Sequence, residues 1–346
     1  MQTSDLDQLQ LDKLNRLLGE VWEHNPFYTH KWSQAGVTFR RLSVLDDLAA
    51  FPLTTRDELV ADQSAAPPLG TNLTHPLGTY KRFHRSSGTT HAPIYWADTA
   101  LSWHWVMHCS QMLYLISGIE PGQRIFFAMT LGASSGPWIM FEGACRLGCC
   151  CFPGGDASGE EQLKLLHQFN PDVLVAKTET ILSLAETAER SGIRLTTVGI
   201  RKIIAPGQTN SRAALLREQS EKTWGAKCFD RYGLTEAGSV ASECLAHTGA
   251  MHLLETEFIA EVIQPDTGQP LKDCEAGELV LTTLGRIGQP IVRYRTGDLV
   301  RLVRNHHCFC KRPGALLVGG VSRLEYRQSP AARHRTGDDS LVDAGD

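Results

Sequence analysis

Three short segments carry residue types suited to nucleotide chemistry. The first, Arg85-Ser86-Ser87-Gly88-Thr89-Thr90-His91-Ala92-Pro93, crowds hydroxyls and backbone N–H groups around a glycine. Such a loop can surround a polyphosphate, because Gly allows close backbone approach and each N–H or O–H can donate. No Gly-Lys-Ser/Thr follows, so it is not a Walker-type loop, and a plain surface turn rich in Ser and Thr has the same composition. The second, Asp230-Arg231-Tyr232-Gly233-Leu234-Thr235-Glu236-Ala237-Gly238, offers a planar Tyr for a base, a Thr for a phosphate and a Glu as oxygen ligand for a hard cation. A strand-to-loop turn with a solvated Glu is the bland alternative. The third, Arg293-Tyr294-Arg295-Thr296-Gly297-Asp298, sits between two expected strands. Its Asp can accept both hydroxyls of a ribose or cap its own turn.

Two further sets compete for attention. Gly132-Ala133-Ser134-Ser135-Gly136 satisfies Gly-x-Ser-x-Gly after an expected strand and before an expected helix, the context of a serine-hydrolase nucleophile. Asp172 and His247 or His252 are its candidate partners. Cys244, His252, Cys308 and Cys310 form a possible-donor set for a metal, with Cys274, His306 and His307 as alternatives. Cys-x-Cys is tighter than the usual Cys-x₂-Cys, so spacing alone leaves free thiols as the competing reading. Cys149, Cys150 and Cys151 are expected to be buried strand thiols.

These segments need a scaffold to hold them. Apolar spacing predicts a helix from Leu6 to about His24, stopped by Asn25-Pro26. Phe51 to Leu59 reads as an extended piece entering a helix with Thr55 and Glu58 in capping-box spacing; Ala66 to Gly78 reads as loop. Helices are then predicted over Asp98–Ile116, Trp138–Leu147, Glu160–Phe169, Thr180–Arg190 and Arg212–Trp224. Short apolar strands are predicted between them, over Arg124–Thr130, Cys149–Phe152, Asp172–Ala176 and Arg201–Ala205. Strands separated by single helices imply parallel βαβ units in a covered sheet, hence an α/β fold. After Tyr232 the texture becomes β-rich, with strands expected at Phe258–Ile263, Glu278–Thr283, Pro290–Tyr294 and Asp298–Val303. The expected organisation is an α/β core over residues 1–240, a β-rich subdomain over 241–326 and a disordered polar tail over 327–346. Arg295-Thr296-Gly297-Asp298 recurs in that tail from Arg335.

Composition narrows the function classes. The 346 residues carry 34 Lys+Arg against 38 Asp+Glu, a net charge of −4 with no basic block, which argues against a nucleic-acid binder. No apolar run approaches a membrane span and the N-terminus is polar, so a soluble, cytoplasmic protein without a membrane role is expected. Ten Cys, three of them adjacent, do not look like a disulfide framework in a chain of this length.

Taken in order and at these separations, the three loops resemble those of the adenylate-forming enzymes, specifically the phenylacetate–CoA ligase branch. Pro52-Leu53-Thr54-Thr55-Arg56-Asp57-Glu58-Leu59, Gly277-Glu278-Leu279-Val280-Leu281-Thr282-Thr283-Leu284 and Cys308-Phe309-Cys310 add to the match, which covers roughly residues 20 to 325. The resemblance implies joining ATP and a carboxylic acid to give an acyl-adenylate and pyrophosphate, with CoA, a carrier protein or an amine as acyl acceptor. It implies that Ser86, Ser87, Gly88, Thr89 and Thr90 hold the β- and γ-phosphates, and that Ala205, Pro206 and Gly207 line the adenine. Tyr232, followed by Gly233, would stack on the base. Thr235 would bond the α-phosphate, Glu236 bind Mg²⁺, and Asp298 and Arg323 contact the nucleotide. Gly132, Ala133, Trp138 and Phe141 would wall the acyl pocket, and the aromatics suit an aromatic acid. Related ligase-like proteins carry Cys and His near Cys244, His252, Cys308 and Cys310, which implies a structural Zn²⁺. A role in antibiotic or other secondary-metabolite biosynthesis also follows from the resemblance, and a homodimer is a candidate assembly.

The departures are specific. His91 stands where the family has Gly, Pro206-Gly207-Gln208 replaces Gly-Ala-Glu, and Ser322-Arg323-Leu324-Glu325-Tyr326 replaces Gly-Arg-x-Asp-Asp at the hinge. The family's smaller C-terminal domain with a catalytic Lys is not expected among the residues after Tyr326. Two other functions therefore stand beside adenylation: a nucleotide- or acyl-binding protein with little catalysis, and a serine hydrolase using Ser134.

Overall fold

The computed structural model describes residues 3–86, 92–207, 213–304 and 308–324. Its elements run α1 (Thr3–His24), α2 (Pro26–Gln34), α3 (Arg56–Ala65), β1 (Tyr80–Arg85), β2 (Tyr95–Thr99), α4 (Ala100–Ile116) and β3 (Arg124–Phe127). Then come α5 (Ser135–Leu147), β4 (Cys150–Pro153), α6 (Gly159–Phe169), β5 (Val173–Val175), α7 (Thr178–Arg190), β6 (Lys202–Ile204) and α8 (Ala213–Trp224). The chain continues through β7 (Lys227–Phe229), β8 (Arg231–Leu234), β9 (Gly238–Cys244), β10 (His247–Leu253), β11 (Phe258–Ile263), β12 (Ala276–Thr283), β13 (Tyr294–Val303) and β14 (Leu316–Arg323).

Local chemistry explains the boundaries. Asn25 ends α1 and its side chain accepts from Tyr28 N, while Pro26 occupies the first turn of α2, so the expected stop is also a start. Thr55 and Glu58 form the expected capping box on α3. Gly148 and Asn170 close α5 and α6 in the left-handed region.

The expected α/β fold is present. The parallel sheet has the order β4-β3-β5-β6-β7, and each adjacent pair is joined by parallel ladders. One face packs Phe126, Leu166, Leu184, Ile203 and Trp224 beneath α6, α7 and α8. The other buries Tyr114, Phe127, Met140, Val175 and Phe229 against α4 and α5. A seven-stranded antiparallel sheet follows, in the order β11-β12-β13-β14-β10-β9-β8, and packs on α4 through Cys109, Leu113 and Val240. This sheet takes strands from Arg231 onward, and residue 240 lies inside β9.

Two expectations about the β-rich region change. Pro290–Tyr294 is not a strand: Arg293 sits at φ 47°, and its N–H donates to Thr282 Oγ1 rather than to a ladder carbonyl. Residues 294–303 form one long strand, so Asp298 lies within β13 and not in a turn between strands. A bulge opposite Glu278–Val280, with Gly297 at φ 71°, re-aims this stretch. The predicted buried strand thiols are split as well: Cys149 is buried, Cys151 half-buried and Cys150 exposed. The tail, with its second Arg-Thr-Gly-Asp, lies outside the described residues, as do Glu325 and Tyr326. Among the described residues no helix is long and apolar enough to cross a membrane.

Candidate active site

The site is built where the parallel sheet's carboxyl ends meet the antiparallel sheet, a common location for ligands in α/β folds. Glu236, just past β8, is buried. Its Oε1 accepts from Arg56 Nη1 at 2.9 Å and from Tyr294 Oη at 3.1 Å. Burial, and then the charge on Glu236, push the Tyr294 phenol well above its usual range, so it serves as a donor. Arg56 also donates to Ser86 Oγ (3.2 Å) and Ala92 O (3.0 Å). One guanidinium thus joins the Glu236 loop to the start of the hydroxyl-rich loop.

The backbone of that loop is held from behind. Arg286 and Asp98 are fully buried and paired through two bonds, of 2.8 and 2.5 Å. Arg286 Nη1 donates to the carbonyls of Thr235 (2.6 Å) and Glu236 (3.1 Å). The Thr235 hydroxyl has no protein partner among the described residues, which leaves it for a ligand. At Gly233 an added Cβ would lie 2.5 Å from Gly238 O, so only glycine lets the two strands approach this closely.

A second pole forms from three strands. Tyr232 Oη donates to Asp298 Oδ2 at 2.7 Å, and Arg323 Nη1 to Asp298 Oδ1 at 2.9 Å. Burial raises the Asp298 pKa, while the Tyr232 hydrogen bond and the Arg323 charge oppose the shift. The Ala205–Gly207 turn reaches this pole through Gly207 N, which donates to Asp230 Oδ1 (3.1 Å) and Arg231 O (3.2 Å).

The expected acyl wall joins the Ser86 side of the site. Ala133 O accepts from Arg85 N at 2.9 Å, one residue before Ser86. Trp138 Nε1 donates to Gly132 O at 2.8 Å, and Phe141 meets Phe127 edge-on at 5.1 Å. Ser86, Gly132, Ala133, Glu236 and Thr235 are therefore linked, as are Tyr232, Asp298, Arg323 and the Ala205–Gly207 turn. Ser87, Gly88, Thr89, Thr90, His91 and Gln208 lie outside the described residues.

Sequence reasoning missed Arg56, Tyr294, Arg286 and Asp98. Arg56 lies inside the Pro52–Leu59 motif, but the capping box alone explained that motif. Tyr294 lies inside the third loop, where attention went to Asp298.

The hydrolase reading does not survive. Ser134 has φ −76° and ψ 140°, an ordinary N-cap rather than a strained elbow. Asp172 precedes β5 and its carboxylate accepts from Arg124 N, at the opposite end of the parallel sheet from Ser134. His252 faces Cys310 Sγ at 3.3 Å.

Two sets of side chains offer donors to a metal ion. The ligand atoms of Cys244, His252, Cys308 and Cys310 all lie within 4.8 Å of one another, with Cys244 Sγ and Cys308 Sγ 3.6 Å apart. Zn–S bonds of about 2.3 Å in a tetrahedron need S···S edges of roughly 3.7 Å, so the set fits Zn²⁺. His306 and His307 lie outside the described residues, and Cys274 is exposed. For Mg²⁺, Glu236 Oε2 has no protein partner among the described residues, so an oxygen donor of the right kind is present.

No protein-family model matches the chain. The phenylacetate–coenzyme A ligase of Pseudomonas putida is 32% identical over 311 residues, covering 88% of this chain and 69% of that protein. The chain belongs to the phenylacetate–coenzyme A ligase family. The Escherichia coli K12 member is likewise 32% identical over 311 residues, with the same coverage of both chains. Among solved structures, 2-hydroxyisobutyryl-CoA ligase in complex with 2-HIB-AMP and CoA superposes with a TM-score of 0.87 at 24% identity. That match covers 94% of this chain and 69% of the ligase, and it speaks for the adenylate-forming fold.

Proposed function

We propose that this protein activates a carboxylic acid, an aromatic one, with ATP to give an acyl-adenylate and pyrophosphate, and that the acyl group then passes to the thiol of CoA. The supporting observation is the two-pole site: Arg56–Glu236–Tyr294 beside Ser86, and Tyr232–Asp298–Arg323 beside the Ala205–Gly207 turn. Family membership gives that geometry its chemistry.

In this reading the ribose hydroxyls donate to Asp298, Tyr232 and the Ala205–Gly207 turn flank the base, and Arg323 reaches the nucleotide. Thr235 Oγ1 donates to the α-phosphate. Ser86, with Ser87, Gly88, Thr89 and Thr90, cradles the β- and γ-phosphates, and Arg56 adds positive charge beside them. The nucleophile is already a carboxylate at neutral pH, so no general base is required. The protein's work is in-line positioning and neutralisation of charge at the α-phosphorus. Glu236 would hold Mg²⁺, which when bound supplies charge neutralisation on the phosphates. Cys244, His252, Cys308 and Cys310 would hold a Zn²⁺ that ties the β9–β10 hairpin to the β13–β14 connection. A cytoplasmic location and a role in secondary-metabolite biosynthesis, such as antibiotic assembly, complete the reading.

The test is acid-dependent ATP–pyrophosphate exchange over a panel of aryl acids. Exchange that requires one of them is the expected result. Nucleotide binding without exchange for any acid would instead favour a binding protein.

A further inference from the structure

Arg231, the first residue of β8, presents an electrostatic problem that the site described so far does not solve. It is 4% exposed, and among the described residues none of Nε, Nη1 or Nη2 makes a well-formed hydrogen bond. A buried guanidinium whose donors have so few acceptors is among the costliest groups a core can hold. Its compensation comes from Tyr114, whose ring lies 3.9 Å from Cζ and whose hydroxyl also interacts with the guanidinium, and one aromatic neighbour offsets only part of the loss.

Its position says what the missing partner belongs to. Neighbours on a strand face opposite sides: Tyr232 turns to Asp298, and Arg231 turns to Tyr114 on α4. The Tyr114 hydroxyl donates to Met140 O on α5 at 2.9 Å. Tyr114, Phe127 and Met140 form one buried cluster, with Phe141 packed against it. The arginine therefore lies against the cluster on which Phe141, one residue of the proposed acyl wall, packs. Ser110, one turn before Tyr114 on α4, adds a buried hydroxyl without a partner. Arg231 and Thr235 are four residues apart, at most about 13 Å at strand rise, a span that two carboxylates on one benzene ring can bridge with the arginine side chain reaching back.

We propose that Arg231 sets acid specificity: the substrate carries a second carboxylate at its far end, which Arg231 binds while the first is activated beside Thr235. A carboxylate is acceptor-only and can take two parallel N–H bonds from a guanidinium. This inference rests on the acyl-site reading under Proposed function and narrows it to aromatic diacids.

The test compares phenylacetate with 4-carboxyphenylacetate, by calorimetric binding and by pyrophosphate exchange, in the wild type, Arg231→Met and Arg231→Lys. The diacid should bind the wild type more tightly by about tenfold or more, because a site with an unpaired buried donor penalises the analogue that lacks its partner. Arg231→Met should lose that preference, while Arg231→Lys keeps part of it. The ligand-free Arg231→Met protein should melt at a higher temperature, since an unpaired buried charge is gone. Equal binding of the two acids, tighter binding of phenylacetate, or a preference that survives Arg231→Met would overturn the proposal. If Arg231→Met fails to fold, the wild-type ratio and Arg231→Lys still decide. A diacid preference in binding with no exchange for any acid supports the Arg231 site and refutes adenylation. Exchange with phenylacetate but not with the diacid does the reverse.

Discussion

Replacing Arg286 with Met should separate the stability of the fold from the geometry of the Glu236 loop. Arg286 and Asp98 are both fully buried, so the single variant leaves a carboxylate in the core without its cation. Breaking such a pair from one side costs about 3–5 kcal/mol. With an unfolding entropy of about 2.1 cal/mol/K per residue, a chain of 346 residues should melt about 4–7 °C lower. The double variant Asp98→Leu with Arg286→Met removes both charges and should recover most of that loss, since apolar replacement of a whole buried pair is often neutral or better. Its activity should not recover. The carbonyls of Thr235 and Glu236 have still lost their donor, and a drift of about 1 Å at a reacting group costs about 10²-fold in rate. Calorimetric melting and pyrophosphate exchange on the three proteins read the two effects apart. An unchanged melting temperature in the single variant, or wild-type exchange in the double variant, would refute the reasoning.

Four further outcomes are expected. Glu236→Gln keeps the shape but loses the charge, so exchange should fall by about 10²-fold while AMP binding holds; full exchange would remove the metal role. Asp298→Asn should weaken AMP binding by about 10- to 100-fold, the value of a hydrogen bond to a charged group, and an unchanged dissociation constant would contradict the ribose contact. Elemental analysis should find about one zinc per chain, lost in Cys308→Ser together with a lower melting temperature; a metal-free protein of full stability would dismiss the zinc. His84, stacked on Trp103 and facing Asp98, Arg286 and Arg82, has its pKa lowered chiefly by burial. The folded state then binds fewer protons than the unfolded one below about pH 6.5. Stability should therefore fall as pH drops from there through the lowered value, and His84→Phe should flatten that slope in pH-dependent melts.

The parallel half of the fold was legible because its signals are local. β3, β5 and β6 are short apolar runs between capped amphipathic helices, and the Thr55–Glu58 box marks α3 directly. The antiparallel half hides its signals. β9 is buried at all seven positions, so it shows no alternation to read, and β1 carries four charged or imidazole side chains in six residues. In the order β11-β12-β13-β14-β10-β9-β8 the sheet is closed up by β14 on β10, a pairing of strands far apart in the chain that no local signal announces. The site divides in the same way. Glu236, Thr235 and Asp298 stood out as residue types in small loops. Arg56 did not, because its partner Glu236 is 180 residues away and no local pattern points to it. Arg231 looked like one more residue beside Tyr232, and only its burial sets it apart.

Three arginine–carboxylate pairs surround the site, and their exposures assign them different work. The Arg286–Asp98 side chains are both 0% exposed, and the pair is tied to two backbone carbonyls, so it can only hold the loop. Arg323 is 56% exposed in its pair with Asp298, and Arg56 20% exposed in its pair with Glu236. An ion pair open to water contributes little, so Arg323 can give up Asp298 at small cost, as the proposed ribose contact requires. Arg56 stands between Glu236 and Ser86 and can exchange a carboxylate for a phosphate with little movement of its stem. A ligand entering this site therefore trades partners with two arginines rather than finding bare charges. In the proposed reading, rigidity stays on the backbone that carries Thr235 and Glu236, where positioning governs the rate, and the freedom to rearrange lies with Arg323 at the ribose pole and Arg56 beside the phosphates.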